Sequence, residues 1–295
     1  MRALAALASL TLAACSAPGD EAAVVLYDRG YALETVLETA DGITSPDGLL
    51  WHEGSLYIAD EGGSAIRKWD GRQLTTLADA SSGLMSPEDL RIASDGQLYF
   101  TDDSAGGLWR VLQAGGAERV AAGAILAGSE GIAVDPEGGV EVGSGESERI
   151  LRVLPTGETE PFQGRRWGVA KPESMVRAAD GSLLVADNRE DRLIRISSAG
   201  AMRELSIPAD LSPESIALAG DVLWITDSHN GRLYRMERDQ PPETVALFLG
   251  DFANINGVAA TAEGTIYVSI QSDLDAGEGY IVRLVPGSVA GASSP

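Results

Sequence analysis

The sequence predicts an all-β protein: a six-bladed β-propeller with four antiparallel strands per blade, closed by an N-terminal strand that completes the last blade. Three observations predict it. Six related openings recur along the chain: Pro46-Asp47-Gly48-Leu49, Pro87-Glu88-Asp89-Leu90, Ser129-Glu130-Gly131-Ile132, Pro172-Glu173-Ser174-Met175, Pro213-Glu214-Ser215-Ile216 and Ile255-Asn256-Gly257-Val258. From Asp47 to Asn256 they are separated by 41, 42, 43, 41 and 42 residues, a regular period of the length expected for a radial array of small sheets. Each repeat reads as short apolar runs divided by turn residues. The sixth repeat lacks its outer strand, and a spare strand stands at the other end of the propeller segment.

At the N-terminus, residues 1–15 (MRALAALASLTLAAC) carry one positive residue, Arg2, and then an apolar run too short to span a membrane. They read as a secretory signal peptide. Leu12-Ala13-Ala14-Cys15 resembles the bacterial lipobox, in which the cysteine is acylated; an ordinary signal with an incidental cysteine is the alternative. Lipidation at Cys15 would anchor the protein to the envelope. Ser16 in the next position implies outer-membrane sorting, facing the periplasm, if the cell is Gram-negative. Cys15 is the chain's single cysteine, so no disulfide forms within it. Residues 16–30 are small and acidic at first and read as a tether.

The propeller is assigned to 31–286 and a polar tail to 287–295. In the first repeat, strands are expected over Asp47–Trp51, Leu56–Asp60, Ala65–Trp69 and Leu74–Leu77, with turns at His52-Glu53-Gly54, Glu61-Gly62-Gly63 and Asp70-Gly71. Second strands recur as LYFTD (98–102), LLVAD (183–187), LWITD (223–227) and IYVSI (266–270), with VEVGS (140–144) the weakest. Each third strand carries an arginine: Arg67, Arg110, Arg152, Arg195, Arg235 and Arg283. The sixth repeat stops after IVRLV (281–285), while LETVLETADGITSPDG (33–48) aligns with LTTLADASSGLMSPED (74–89). A strand near Leu33–Leu37 is therefore expected to complete blade six and remove two exposed sheet edges.

Following strand direction places the inter-blade loops and the loops after Asp60, Asp102, Asp187 and Asp227 on one face, the upper one. His52 falls on the lower face and His229 on the upper, which argues against a two-histidine catalytic dyad. Asp47, Glu88, Glu130, Glu173, Glu214 and Asn256 begin the innermost strands and should rim the upper mouth of the axial channel. Five carboxylates so close cannot all stay ionised without a counter-charge. A bound cation, protonation, or pairing with basic side chains would each resolve this. Oxygen ligands without Cys or His favour a hard ion, calcium before magnesium. Alternatively, the slot acids cap backbone N–H groups and hold no metal. The strand-end aspartates and the repeated arginines read as structural.

Acidic residues number 44 against 22 basic, a formal charge of −22 that repels nucleic acid and anionic lipid. A small-molecule ligand and a monomer are expected, with no nucleic-acid partner. The basic cluster Arg165, Arg166, Trp167 and Lys171 precedes Glu173; it would bind a substrate anion or neutralise the slot acids. His229 is a further candidate substrate contact. The mouth loops 251–256 (DFANIN) and 271–278 (QSDLDAGE) complete the set; the second does not match an EF-hand. No Gly-x-Ser-x-Gly elbow and no phosphate loop is present.

Repeats of the form P-x-G-hydrophobic, then Asp-Gly, then LYVAD, then an arginine strand resemble NHL repeats. They also resemble the senescence marker protein/gluconolactonase/luciferin-regenerating enzyme family over about residues 31–286. That resemblance implies a six-bladed propeller with a divalent cation at the top of the channel, held by a Glu, an Asn and an Asp from different blades. It aligns Asp47, four residues before Trp51, and the Asp47-Gly48 and Asn256-Gly257 pairs with family ligands. It implies hydrolysis of a lactone or ester, with a slot carboxylate such as Glu130 or Glu173 activating water. Glu at four consecutive blades departs from the family's mixture and makes the mouth more anionic. The alternatives are a non-catalytic ligand- or protein-binding propeller and, more weakly, a metal-assisted lyase.

Overall fold

The computed structural model describes residues 12–14, 23–135, 137–271 and 278–287. Cys15, most of the leader, the 272–277 stretch and the tail beyond 287 lie outside the described residues. Six antiparallel sheets form a ring around one axis, without an α-helix among the described residues. Blade one is Pro46–His52, Ser55–Asp60, Ala65–Trp69 and Leu74–Ala78, from the axis outward. Its residues explain the pattern. Leu56 and Ile58 are fully buried while Tyr57 between them is half-buried, as side chains alternate across a strand. Glu53 and Gly54 both take positive φ, 45° and 77°, which is the tight turn whose twist suits a hairpin. The Asp70 carboxylate accepts from the N–H groups of Arg72 and Gln73 at 2.8 Å and closes the next turn.

Blades two to five repeat the plan, with inner strands Pro87–Ile92, Ser129–Val134, Pro172–Arg177 and Ile216–Ala219. Blade six is built from Ile255–Ala260, Ile266–Gln271 and Gly279–Pro286, and its outer strand is Tyr31–Glu38, with Leu37 opposite Ile281 and Leu33 opposite Leu284. The expected closure is what the molecule uses. Each interface between neighbouring blades holds its own apolar cluster. At the closing interface Leu37, Ile43, Leu49 and Ile58 pack with Ala259, Tyr267 and Ile281, and Trp51 stacks on Tyr267 at 5.2 Å.

One boundary differs from expectation. Residues 16–30 are not wholly a tether, because Ala23–Leu26 adds a strand to the outer edge of blade five, pairing with Glu243–Phe248. The reason is apolar: Val24 is buried in the cluster that contains Phe248, and covering the edge saturates its backbone groups.

The repeated charged residues serve this frame. Asp60 accepts from the N–H groups of Thr44 and Ser45 and from Arg67 Nε at 2.6 Å. Asp102 accepts from Met85 and Ser86, and Asp187 from Ala170, Lys171 and Arg192. Each strand-end aspartate thus fixes the loop that delivers its own blade's inner strand. The third-strand arginines pair with nearby acids, Arg152 with Asp135 and Arg283 with Glu34 among them.

Candidate functional site: a carboxylate ring at the channel mouth

The slot residues owe their aim to a bulge. In five blades the register between the inner and second strands shifts at this point, between Pro46 and Leu49 in blade one and at the equivalent places in blades two, three, four and six. A bulge leaves a residue unpaired and re-aims its side chain. Hydroxyl groups then tie neighbouring bulges together. Thr101 donates to the Glu130 carbonyl, Thr226 to the Asn256 carbonyl and Ser269 to the Asp47 carbonyl. The inner strands crowd so closely that a Cβ at Gly48 would stand 2.2 Å from the Glu88 carbonyl oxygen, and one at Gly257 2.1 Å from that of Asp47.

Asp47, Glu88, Glu173 and Glu214, from four blades, line one small recess of about 10 Å³ together with Asp89, Ser174 and Ser215. Glu130, 6% exposed, stands beside it with Asn256, equally buried. Below, Asp89 pairs with Arg91, whose Nη2 crosses the channel to the Met175 carbonyl at 2.7 Å. The mouth is therefore a closed-bottomed cup rather than an open pore.

Burial raises the carboxyls first, and mutual repulsion adds to it. Asp47 is held well above the ordinary aspartate range by burial, then by Glu214, Glu61 and Glu130, while a side-chain hydrogen bond with Glu88 opposes the shift. Glu88 is raised by burial, then by Asp47 and Glu130. Glu173 is raised by burial, then by Glu130 and Glu214, against the pull of Lys171. Glu130 is raised by burial to about 7, with Lys171 opposing.

Lys171 supplies the counter-charge. Its Nζ donates to Glu173 Oε1 at 3.0 Å and lies 3.5 Å from Glu130 Oε1. It is also 2.9 Å from Glu173 Oε2, but off the hydrogen-bonding direction, so Oε2 is buried without a hydrogen bond. Burial works against the ammonium, but Glu173 and Glu130 outweigh it and raise Lys171 above the ordinary lysine value. Among the described residues, no three His, Cys, Asp or Glu side chains converge as a ready-made metal cage.

The rest of the basic cluster goes elsewhere. Trp167 is buried in the core between blades three and four and donates to the Phe162 carbonyl at 3.1 Å. Arg165 lies over the Trp167 ring at 4.2 Å and donates to the carbonyl of Gly200, in the hairpin at the lower end of blade four. Neither reaches the mouth, a correction to their expected place in substrate binding. The aromatic ring and the guanidinium satisfy each other and close a loop. Arg166 is exposed, and His229 is exposed in the upper hairpin after Asp227. His52 is at the lower end, 3.9 Å from the Glu53 carboxylate.

The upper-face loops expected from the sequence carry a second ring that was not read as such: Glu61, Asp103, Gly145, Asn188, Ser228 and Gln271. Glu61 accepts from Ser86 Oγ at 2.8 Å and from Gln271 Nε2 at 3.1 Å. Glu214 Oε2 accepts from Asn188 Nδ2 at 3.0 Å and Ser228 Oγ at 2.7 Å. Asp103 is raised by burial, with Lys171 opposing. The available signal was position, for Glu61, Asp103, Gly145, Asn188 and Ser228 stand one residue past the end of a second strand and Gln271 closes the sixth.

The family model described as "SMP-30/Gluconolactonase/LRE-like region" matches residues 20–229. No curated protein matches the chain. Among solved structures, virginiamycin B lyase from Staphylococcus aureus is 19% identical with a TM-score of 0.66, covering 86% of this chain and 99% of that one. The calcium-binding protein regucalcin from Agrobacterium tumefaciens is 16% identical with a TM-score of 0.65, covering 88% and 96%. A gluconolactonase from Xanthomonas campestris is 14% identical with a TM-score of 0.66, covering 89% of each chain. At these identities the likeness carries the fold alone.

Proposed function

The chain belongs to the SMP-30/gluconolactonase/LRE-like family, and on that premise we propose that it hydrolyses lactones or other esters at the upper mouth of its channel, with the help of a divalent cation. The observation that carries this reading is the convergence of Asp47, Glu88, Glu173 and Glu214 from four blades on one recess. The donor set suits such an ion: hard oxygens only, gathered in a desolvated cup. Asp47, Glu88, Glu173 and Glu214, with Glu130 and Asn256 beside them, are the residues that would hold it, calcium before magnesium. When bound, a divalent cation supplies Lewis-acid polarisation of a substrate carbonyl.

The chain's own groups supply the proton chemistry. Glu130, buried at the rim beside the recess, is placed to take a proton from water. Glu173 is the other candidate base, its carboxylate oriented by Lys171. Glu214 is held by Asn188 and Ser228 and suits a fixed acceptor. Exposed His229 and Arg166 are the remaining candidates for contact with a small-molecule substrate, and the protein is taken to act as a monomer. Its expected place is the bacterial envelope, through a lipid on Cys15; palmitate labelling that persists in Cys15→Ser would refute this.

A second reading, a ligand- or protein-binding propeller without catalysis, is favoured by one observation: Lys171 already compensates Glu130 and Glu173. Proton release from a panel of lactones and esters, with calcium present, separates the two. Catalysis predicts turnover by the wild type and losses of at least about 100-fold in Glu130→Gln and Glu173→Gln. Full activity in both variants refutes the assignment of the base. No turnover of any panel member favours the binding reading.

A further inference from the structure

Lys171 is built into the mouth rather than draped over it. Its backbone is pinned on both sides: Asp187 Oδ1 accepts from its N–H at 2.8 Å, and its carbonyl accepts from Glu173 N at 2.9 Å and Asn188 N at 3.0 Å. Its stem runs over Gly145, where a Cβ would stand 3.1 Å from Lys171 Cγ. Gly145 is the second-ring position that lacks a side chain, while the other blades carry Glu61, Asp103, Asn188, Ser228 and Gln271 there. Two residues before the slot, the other blades have Ser45, Ser86, Gly128, Ser212 and Asn254. Blade four alone places a cation there, in a chain whose only other lysine is Lys68.

The two halves of the ring thus differ. Asp47 acts on Glu88 by like-charge repulsion, whereas Glu130 and Glu173 share the Lys171 ammonium. We propose that this ammonium is a tethered counter-cation, holding the place between Glu130 and Glu173 until a divalent cation displaces it, so that Lys171 sets how tightly the mouth binds such an ion. This rests on the reading of the mouth as a cation site. Like charges a few ångströms apart in a desolvated cup repel strongly, so both cannot share the two carboxylates. Displacement would swing the ammonium along its flexible stem toward the open face, past Gly145, while the pinned backbone stays in place.

Calcium chloride titrated calorimetrically into the wild type and Lys171→Gln tests this, without any activity readout. The expected result is binding at least about tenfold tighter in the variant. Equal affinities overturn the proposal and leave the cation reading standing; binding to neither folded protein overturns both. Should Lys171→Gln fail to fold, the wild type decides alone. Acetylation by an amine-reactive reagent is followed at Lys171 by mass spectrometry, with Lys68 as the internal standard. Calcium should raise the Lys171 rate several-fold relative to Lys68, and an unchanged ratio overturns the proposal.

Discussion

The Ser269 hydroxyl donates at 2.6 Å to the carbonyl of Asp47, across the seam where the last blade meets the first. The same oxygen accepts from the Gly257 N–H at 2.7 Å. One side chain therefore closes the ring and holds two slot segments in register. Ser269→Ala leaves both backbone groups unpaired in a buried place, at a cost of about 1–3 kcal/mol. A urea midpoint unchanged from the wild type would contradict this.

At the closing seam the inner strands converge only because the residue after the slot, Gly257, has no side chain. Gly257→Ala would force a Cβ to 2.1 Å from the Asp47 carbonyl oxygen, and backbone on both sides cannot yield as a flexible side chain would. The expected loss is at least about 3 kcal/mol, with weaker calcium binding because Asp47 is displaced. Gly42→Ala, where a Cβ meets nothing within 4 Å but φ is 101°, isolates the cost of backbone strain alone, about 1 kcal/mol or somewhat more.

Much of this was legible in the sequence, because a radial array repeats its physics six times. The period, the strand punctuation of blade one and the missing outer strand of blade six each fixed a part of the ring. The slot acids were legible for the same reason. What could not be read was the direction of single long side chains. Arg165, Trp167 and Lys171 look alike as a basic cluster, but Trp167 is drawn into the apolar interface by Phe162, and Arg165 follows it. Only Lys171 is left within reach of the acids. Ala23–Leu26 was missed because an acidic approach masked an apolar run that a sheet edge could use.

The carboxyl ring sets the sign of the pH dependence. Glu130 titrates near 7 in the folded protein, against 4.5 for an ordinary glutamate, so between those values the native state holds a proton that the unfolded chain has released. Stability from this group is full below about 4.5 and is lost as pH rises through 7. Asp47, Glu88 and Glu173, also raised, act in the same direction. The melting temperature without divalent cations should therefore fall from pH 5 to pH 8, and Glu130→Gln should flatten part of that slope. A profile that rises over this range would contradict the assignment.

Divalent ions should act oppositely. An ion that binds only the folded ring stabilises it by about 2.7 kcal/mol at 100 times its dissociation constant, which for a chain of this size means a rise of roughly 5 °C. The gain should be larger at pH 8 than at pH 5, where protons compete for the same oxygens. Melting curves that coincide in calcium and in chelator at pH 8 would remove the motive for a cation site.

Blade three carries the one second strand that breaks the pattern, and its exception has a partner. Glu141 stands where the other blades have Tyr57, Tyr99, Leu184, Trp224 and Tyr267, and it is 1% exposed. Arg177 of blade four meets it, Nη2 to Oε1 at 2.6 Å. Burial raises the Glu141 carboxyl, with Arg177 opposing, and Glu141 Oε2 and Arg177 Nε are both buried without hydrogen bonds. Such a pair is poorly satisfied, so it holds the interface mainly by not being broken. Arg177→Met should cost about 3–5 kcal/mol by stranding the acid, whereas Glu141→Leu with Arg177→Met together should be neutral or stabilising. A double-mutant cycle in urea measures both; a double variant weaker than either single one would mean that the ion pair adds more than its desolvation costs.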